Sequence, residues 1–125
     1  MTQGLLLFAH GARDPRWALP FEDVARRIRT ARPGIAIELA FLEFMAPDVV
    51  EAGQRLAAAG CRSVDVLPLF LGAGGHVRKD LPGWLLRLGA EHPQVQWRLQ
   101  PAVGEADSVI AAMASQALGL LADAA

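Results

Sequence analysis

The chain has 125 residues, 53% of them hydrophobic and 20% charged, a length that carries one core rather than two. Its formal net charge of −1 excludes a general nucleic-acid or membrane-surface binder, which needs a basic excess. Its single cysteine, Cys61, excludes an internal disulfide and any cysteine-built zinc or iron–sulfur site, and suits a reducing compartment.

Residues 1–125 therefore read as one domain. No basic segment precedes the first apolar run, and Leu5-Leu6-Leu7-Phe8-Ala9 is too short for a signal-peptide core or a membrane span, so a cytoplasmic protein is expected.

The first predicted element is a strand over residues 4–9, ending at His10-Gly11. Asp14-Pro15 leads into a helix over about 17–31, which Pro33-Gly34 stops. A second strand over 35–42 ends at Glu43. The next helix covers about 47–59, with Pro47 in its first turn and Gly60 at its end. Cys61 reads as a small buried residue at the start of the third strand, 63–71. After it come Gly72-Ala73-Gly74-Gly75-His76 and a helix over about 79–91, with Asp80 and Pro82 near its start and His92-Pro93 at its end. His92 there suits the helix dipole and is given no catalytic role. A fourth strand over 95–100 alternates in polarity like an edge strand. A last helix over about 105–122 opens with Glu105 and Asp107.

Strands alternating with helices predict an α/β domain of three layers, with a mainly parallel four-stranded sheet flanked by helices. The first and third strands are nearly continuous in apolar residues, as central strands covered on both faces are.

Such a sheet delivers its strand ends to one carboxyl edge, where open α/β sheets bind ligands. Three of those ends carry chemistry. Glu43 lies 33 residues after His10 and 33 before His76, about one strand–helix–strand repeat each way. Two imidazoles and a carboxylate suit a first-row divalent ion, and imidazole also accepts protons near neutral pH. The alternatives are a strand-end histidine bonded to a backbone carbonyl for His10 and a solvated or capping acid for Glu43. For His76, the preceding glycines free the backbone for close approach to a ligand.

A nucleotide reading of the glycine-rich loop fails. Val77 stands where the last Gly of G-x-G-x-x-G belongs, and no Walker Lys-Ser/Thr pair is present. Arg13 and Arg16 follow His10, and Arg78 and Lys79 follow His76. Four cations beside a candidate metal site, on a chain without net positive charge, point to an anionic ligand rich in carboxylates or phosphates. Trp17, Phe44, Met45 and Trp84 lie near the same loops, as helix packing or as walls for a large flat ligand.

Three segments, His10-Gly11-Ala12-Arg13-Asp14-Pro15, Glu38-Leu39-Ala40-Phe41-Leu42-Glu43, and the run from Pro68 through Gly72-Ala73-Gly74-Gly75-His76 to Pro82, together resemble the short CbiX-type sirohydrochlorin cobaltochelatases and ferrochelatases. The resemblance covers nearly the whole chain. It implies a chelatase-like fold and a class II chelatase, a lyase that inserts a divalent metal into a tetrapyrrole without ATP, in cobalamin or sirohaem biosynthesis. It implies a homodimer and no tightly bound cofactor, the metal being a substrate, with cobalt favoured and iron or nickel as alternatives. The family's catalytic and metal-binding histidines fall on His10 and His76, and its strand-end carboxylate on Glu43. Its macrocycle loop falls on Leu71, Gly72, Ala73, Gly74, Gly75 and His76, with Arg13 and Arg78 as partners for the substrate's carboxylates. Some relatives carry Glu where this chain has Ala46, and the His-rich tail of some members is missing.

Two other readings follow from the same residues. One is a non-catalytic metal or tetrapyrrole carrier. The other is a Rossmann-like nucleotide or phosphate module, whose affinity would survive loss of both histidines.

Overall fold

The computed structural model describes residues 3–72 and 74–121, with the side chain of His76 outside the described set. Four strands, β1 (Gln3–Ala9), β2 (Ala36–Phe41), β3 (Ser63–Pro68) and β4 (Gln96–Leu99), form one sheet in the order β2-β1-β3-β4. All three pairings are parallel. As the run lengths predict, β1 and β3 are central and β4 is an edge.

Helices α1 (Leu19–Ala31), α2 (Val49–Ala58), α3 (Gly75–Glu91) and α4 (Asp107–Leu118) follow the four strands in turn. The two-residue period of β1 divides its side chains between the two faces of the sheet. Leu6 and Phe8 join Val64 and Val66 beneath Val49, Ala52 and Leu56 of α2 and Val77, Leu81 and Leu88 of α3. Leu5 and Leu7 turn to the opposite face, where Ile37 and Leu39 meet Ala25 and Ile28 of α1. Burying one such Leu or Phe contributes roughly 1.5–3 kcal/mol, so this division fixes the strand register.

The caps follow local chemistry. Asp14 accepts from the Arg16 backbone N–H at 2.9 Å and starts the 3₁₀ turn Pro15–Ala18, which runs into α1. Asp48 accepts from the Glu51 N–H at 2.8 Å, so α2 opens on this cap and the expected first-turn Pro47 lies just outside it. Gly60, at φ 91°, ends α2 as expected.

Two boundaries differ in a way that bears on function. β3 ends at Pro68 rather than at residue 71. Helix α3 begins at Gly75 rather than near residue 79, because Gly74 is extended and its carbonyl accepts from the Arg78 N–H at 3.0 Å. Pro82 then lies inside the helix, where it removes one ladder bond. Val77 and Leu81 before it and Leu88 after it are buried along one stripe, so packing holds the helix together across the proline.

No residue of α4 is buried, although the helix is apolar on most sides. Ile110, Met113 and Leu118 are exposed large hydrophobic side chains. The helix leans on the 3₁₀ turn Val103–Glu105.

Candidate active site

The carboxyl ends of β2, β1 and β3 lie side by side, in the order that brings Glu43, His10 and the glycine-rich loop to one edge. The first two are joined directly. Beyond the last β1–β2 pair, the Leu42 N–H donates to the Ala9 carbonyl at 2.9 Å and the Glu43 N–H donates to the His10 carbonyl at 3.0 Å. The parallel ladder thus extends through both candidate residues.

Gly11 makes this junction possible. It sits at φ 89°, and a β-carbon there would overlap the Glu43 carbonyl oxygen. On the other flank, the Leu69 N–H donates to the Phe8 carbonyl at 2.7 Å and carries the β1–β3 pairing past Pro68. Gly104 clamps the next residue: its N–H donates to the Phe70 carbonyl at 2.9 Å, and a β-carbon on it would overlap the Leu71 backbone. The Leu71 side chain itself is 69% exposed.

His10 is exposed and its ring lies on that of buried Phe70, with centroids 4.3 Å apart. A packed ring face orients an imidazole while its nitrogens stay accessible, which suits a metal ligand or a proton acceptor. Glu43 is also exposed. His76 falls in the first turn of α3 instead of on a loop. Its side chain and all of Ala73 lie outside the described residues, so the expected third ligand and that loop contact have no described position. Among the described residues no three His, Cys, Asp or Glu side chains gather around one point.

Gly72, Gly74 and Gly75 meet nothing within 4 Å along their missing β-carbon directions, so the loop presents open backbone to solvent. Arg78 is exposed and lines a cavity of about 240 Å³ between α3 and the end of β4, with Val77, Leu81, Leu99 and Glu105 on its walls. His10 and Glu43 lie outside this cavity, on an open edge.

The expected cation cluster divides. Arg16 binds the Asp14 carboxylate at 2.9 Å, and this hydrogen bond holds Asp14 below the usual carboxylate range. Arg13 stands over the Phe44 ring, 5.0 Å from its centroid. The aromatics divide as well. Trp17 stacks on Phe21 at 4.6 Å and Trp84 meets Phe8 edge-on at 6.1 Å, so both serve packing. Phe44 is exposed and belongs to no core.

Comparison with known proteins decides the family. The CbiX family model matches residues 4–118. The chain belongs to the CbiX family. A sirohydrochlorin cobaltochelatase of Saccharolobus islandicus is 32% identical to this CbiX protein over 96 residues, which cover 75% of this chain and 71% of that one. A second, from Sulfurisphaera tokodaii, is 32% identical over 82 residues; the match spans 63% of this chain and 64% of its relative, under two thirds of that protein. Among solved structures, a putative cobalamin biosynthesis CbiX protein from Marinobacter aquaeolei superposes with a TM-score of 0.80 at 33% identity, covering 94% of this chain and 95% of that one. The sirohydrochlorin chelatase SirB from Bacillus subtilis, solved with cobalt, has a TM-score of 0.81 at 20% identity. That match covers 96% of this CbiX chain and 51% of SirB, and it establishes the shared fold.

Proposed function

We propose that this CbiX-family protein is a sirohydrochlorin chelatase that inserts a divalent metal, cobalt(II) first among candidates, into its tetrapyrrole without ATP. The observation that carries this reading is the hydrogen-bonded junction of His10 and Glu43 at the carboxyl edge of a CbiX fold. A cytoplasmic setting accords with the absence, among the described residues, of any helix long and apolar enough to cross a membrane.

Insertion replaces the ion's ligands stepwise by four ring nitrogens while two pyrrole protons leave. The protein must therefore hold the ion weakly and supply a base. His10 accepts a pyrrole proton and shares the incoming ion with His76, the imidazole being a ligand that releases metal readily to a macrocycle. Glu43, one hydrogen bond away along the backbone, holds the ion's charge or passes the proton to solvent. Arg13 and Arg78 pair with carboxylates on the macrocycle rim, and the open backbone of Gly72, Gly74 and Gly75, in the loop that Leu71 and Ala73 complete, lets a flat ligand approach closely.

The whole chain, residues 1–125, acts as one CbiX-type domain and pairs as a homodimer. Support for pairing is the exposed apolar surface of α4, which a monomer leaves in water. An open edge that a second copy can roof over also suits a ligand wider than the cavity beside Arg78.

The test is spectrophotometric insertion with sirohydrochlorin and cobalt(II), iron(II) or nickel(II). A rate well above the metal-only control, lost in His10→Ala and His76→Ala, is the expected result. Binding of both substrates without acceleration would identify a carrier and overturn the enzymatic reading.

A further inference from the structure

Phe44 is unlike the other aromatic side chains at this edge. It is the one non-glycine residue among those described with a positive φ, 65°. An L-residue in the left-handed region costs about 1 kcal/mol or more, least for Asn or Asp and not for Phe. The ring is 58% exposed, so burial of its own surface does not offset that strain. Both costs fall on the residue directly after Glu43.

Arg13 completes the observation. Its guanidinium lies over the Phe44 ring at 5.0 Å, and among the described residues it makes no ion pair. The neighbouring acid, Asp14, is taken by Arg16 through both its side-chain and backbone N–H groups. A guanidinium held on an aromatic face keeps its fork of donors open for a planar oxyanion. Phe44 extends from the end of β2 and Arg13 from the end of β1, so the two loops that carry Glu43 and His10 also carry this pair.

We infer that Phe44 and Arg13 form a substrate-seating lip, in which the Phe44 ring stacks on the tetrapyrrole face and Arg13 binds one carboxylate on its rim. This rests on the chelatase reading and assigns a positioning and specificity role to Phe44. The left-handed backbone, at the residue directly after Glu43, sets the direction of a ring that is exposed and lies under the Arg13 guanidinium. Stacking on an aromatic ring aligns a macrocycle without anchoring it chemically, which leaves the metal path to His10 free.

The experiment measures sirohydrochlorin binding without metal, by absorbance titration, together with KM and kcat for cobalt insertion. Phe44→Gly is the deciding variant, because glycine adopts φ 65° without strain and keeps the loop while removing the ring. Its melting temperature is expected to match or exceed that of the parent. Its dissociation constant and KM for the tetrapyrrole should rise about 5- to 150-fold, the range expected for one lost aromatic stack. The rise in KM should exceed any fall in kcat, and Phe44→Trp should restore binding. Arg13→Gln should weaken binding of the free-acid tetrapyrrole but not of its methyl ester, which has no carboxylate to pair. If Phe44→Gly binds and turns over as the parent does, Phe44 is only a turn residue and the inference falls while the chelatase reading stands. If the parent itself neither binds nor metallates sirohydrochlorin, both fall together.

Discussion

Gly11 and the carbonyl oxygen of Glu43 share one space: a β-carbon at residue 11 would overlap that oxygen, and the backbone there is already at φ 89°. The contact ties the loop that carries the candidate base to the loop that carries the candidate carboxylate. Gly11→Ala must therefore break the Glu43 N–H to His10 carbonyl bond or strain the backbone on both sides of it. We expect a loss of roughly 1–3 kcal/mol in urea unfolding, since an L-residue at positive φ and a backbone overlap add. Insertion activity should fall at least about tenfold, as small misplacements of catalytic groups do. Gly34→Ala, where nothing lies within 4 Å, is the control and should change stability by less than about 0.5 kcal/mol. Equal melting curves for Gly11→Ala and the parent would show that the two loops are not coupled.

The architecture was legible because apolar run length reports strand burial: the two continuous runs became central β1 and β3, and the alternating one became edge strand β4. His10 and Glu43 were legible for the same reason, since strand ends in a parallel sheet share an edge. The start of α3 was not. Gly74 and Gly75 read locally as loop and Pro82 as a residue near the helix start, and only the buried stripe of Val77, Leu81 and Leu88 makes the segment helical from Gly75 on through Pro82. The fate of the cations was also hidden, because Arg16 turns back on Asp14 while Arg13 crosses to a ring from another loop. The conformation of Phe44 has no local signal at all. Left-handed backbone at a phenylalanine is imposed by the loop junction, and no propensity predicts it.

His10 and Glu43 make few contacts that folding needs. Both are exposed, and the His10 ring touches Phe70 on one face. His10→Ala and Glu43→Gln should therefore shift stability by less than about 1 kcal/mol, as surface substitutions do. Loss of a general base lowers rates by about 100- to 10,000-fold, and His10→Ala should fall in that range. Glu43→Gln keeps size and removes charge, so a smaller loss there would assign it to proton relay and an equal loss to a shared ligand role. A His10→Ala variant that inserts cobalt at the parent rate would remove His10 from the chemistry. Stopped-flow insertion and thermal melts on the same preparations separate these outcomes.

An unpartnered apolar helix makes a prediction about assembly. Ile110 is 48% exposed and Met113 44%, one turn apart on α4. A homodimer that covers this face should sediment at twice the chain mass, and the double variant Ile110→Asp with Met113→Asp should sediment as a monomer. Two carboxylates from each chain, buried at an apolar contact, cost several kcal/mol, enough to dissociate a dimer at micromolar concentration. Because neither residue supports its own chain's core, the monomer should keep the parent's far-ultraviolet spectrum. A parent that is monomeric by light scattering at these concentrations would refute the pairing.

Cys61 supplies a pH dependence with a defined sign. It is a buried free thiol, and burial pushes its pKa up, since the apolar surroundings disfavour thiolate. The folded chain then holds the thiol proton more tightly than the unfolded chain. Its contribution is fully present below the unfolded thiol value, about 8.5, and is lost as pH rises through that value and on through the raised folded one. The chain has no Tyr, so few other groups titrate in this window. Unfolding free energy from urea melts should decline above about pH 8.5, and Cys61→Ala should flatten that decline while lowering stability at pH 7 by roughly 1 kcal/mol through the cavity it leaves. Iodoacetamide should label the unfolded chain far faster than the folded one at pH 8.5. Parallel alkaline slopes in the parent and in Cys61→Ala would assign the pH dependence to another group.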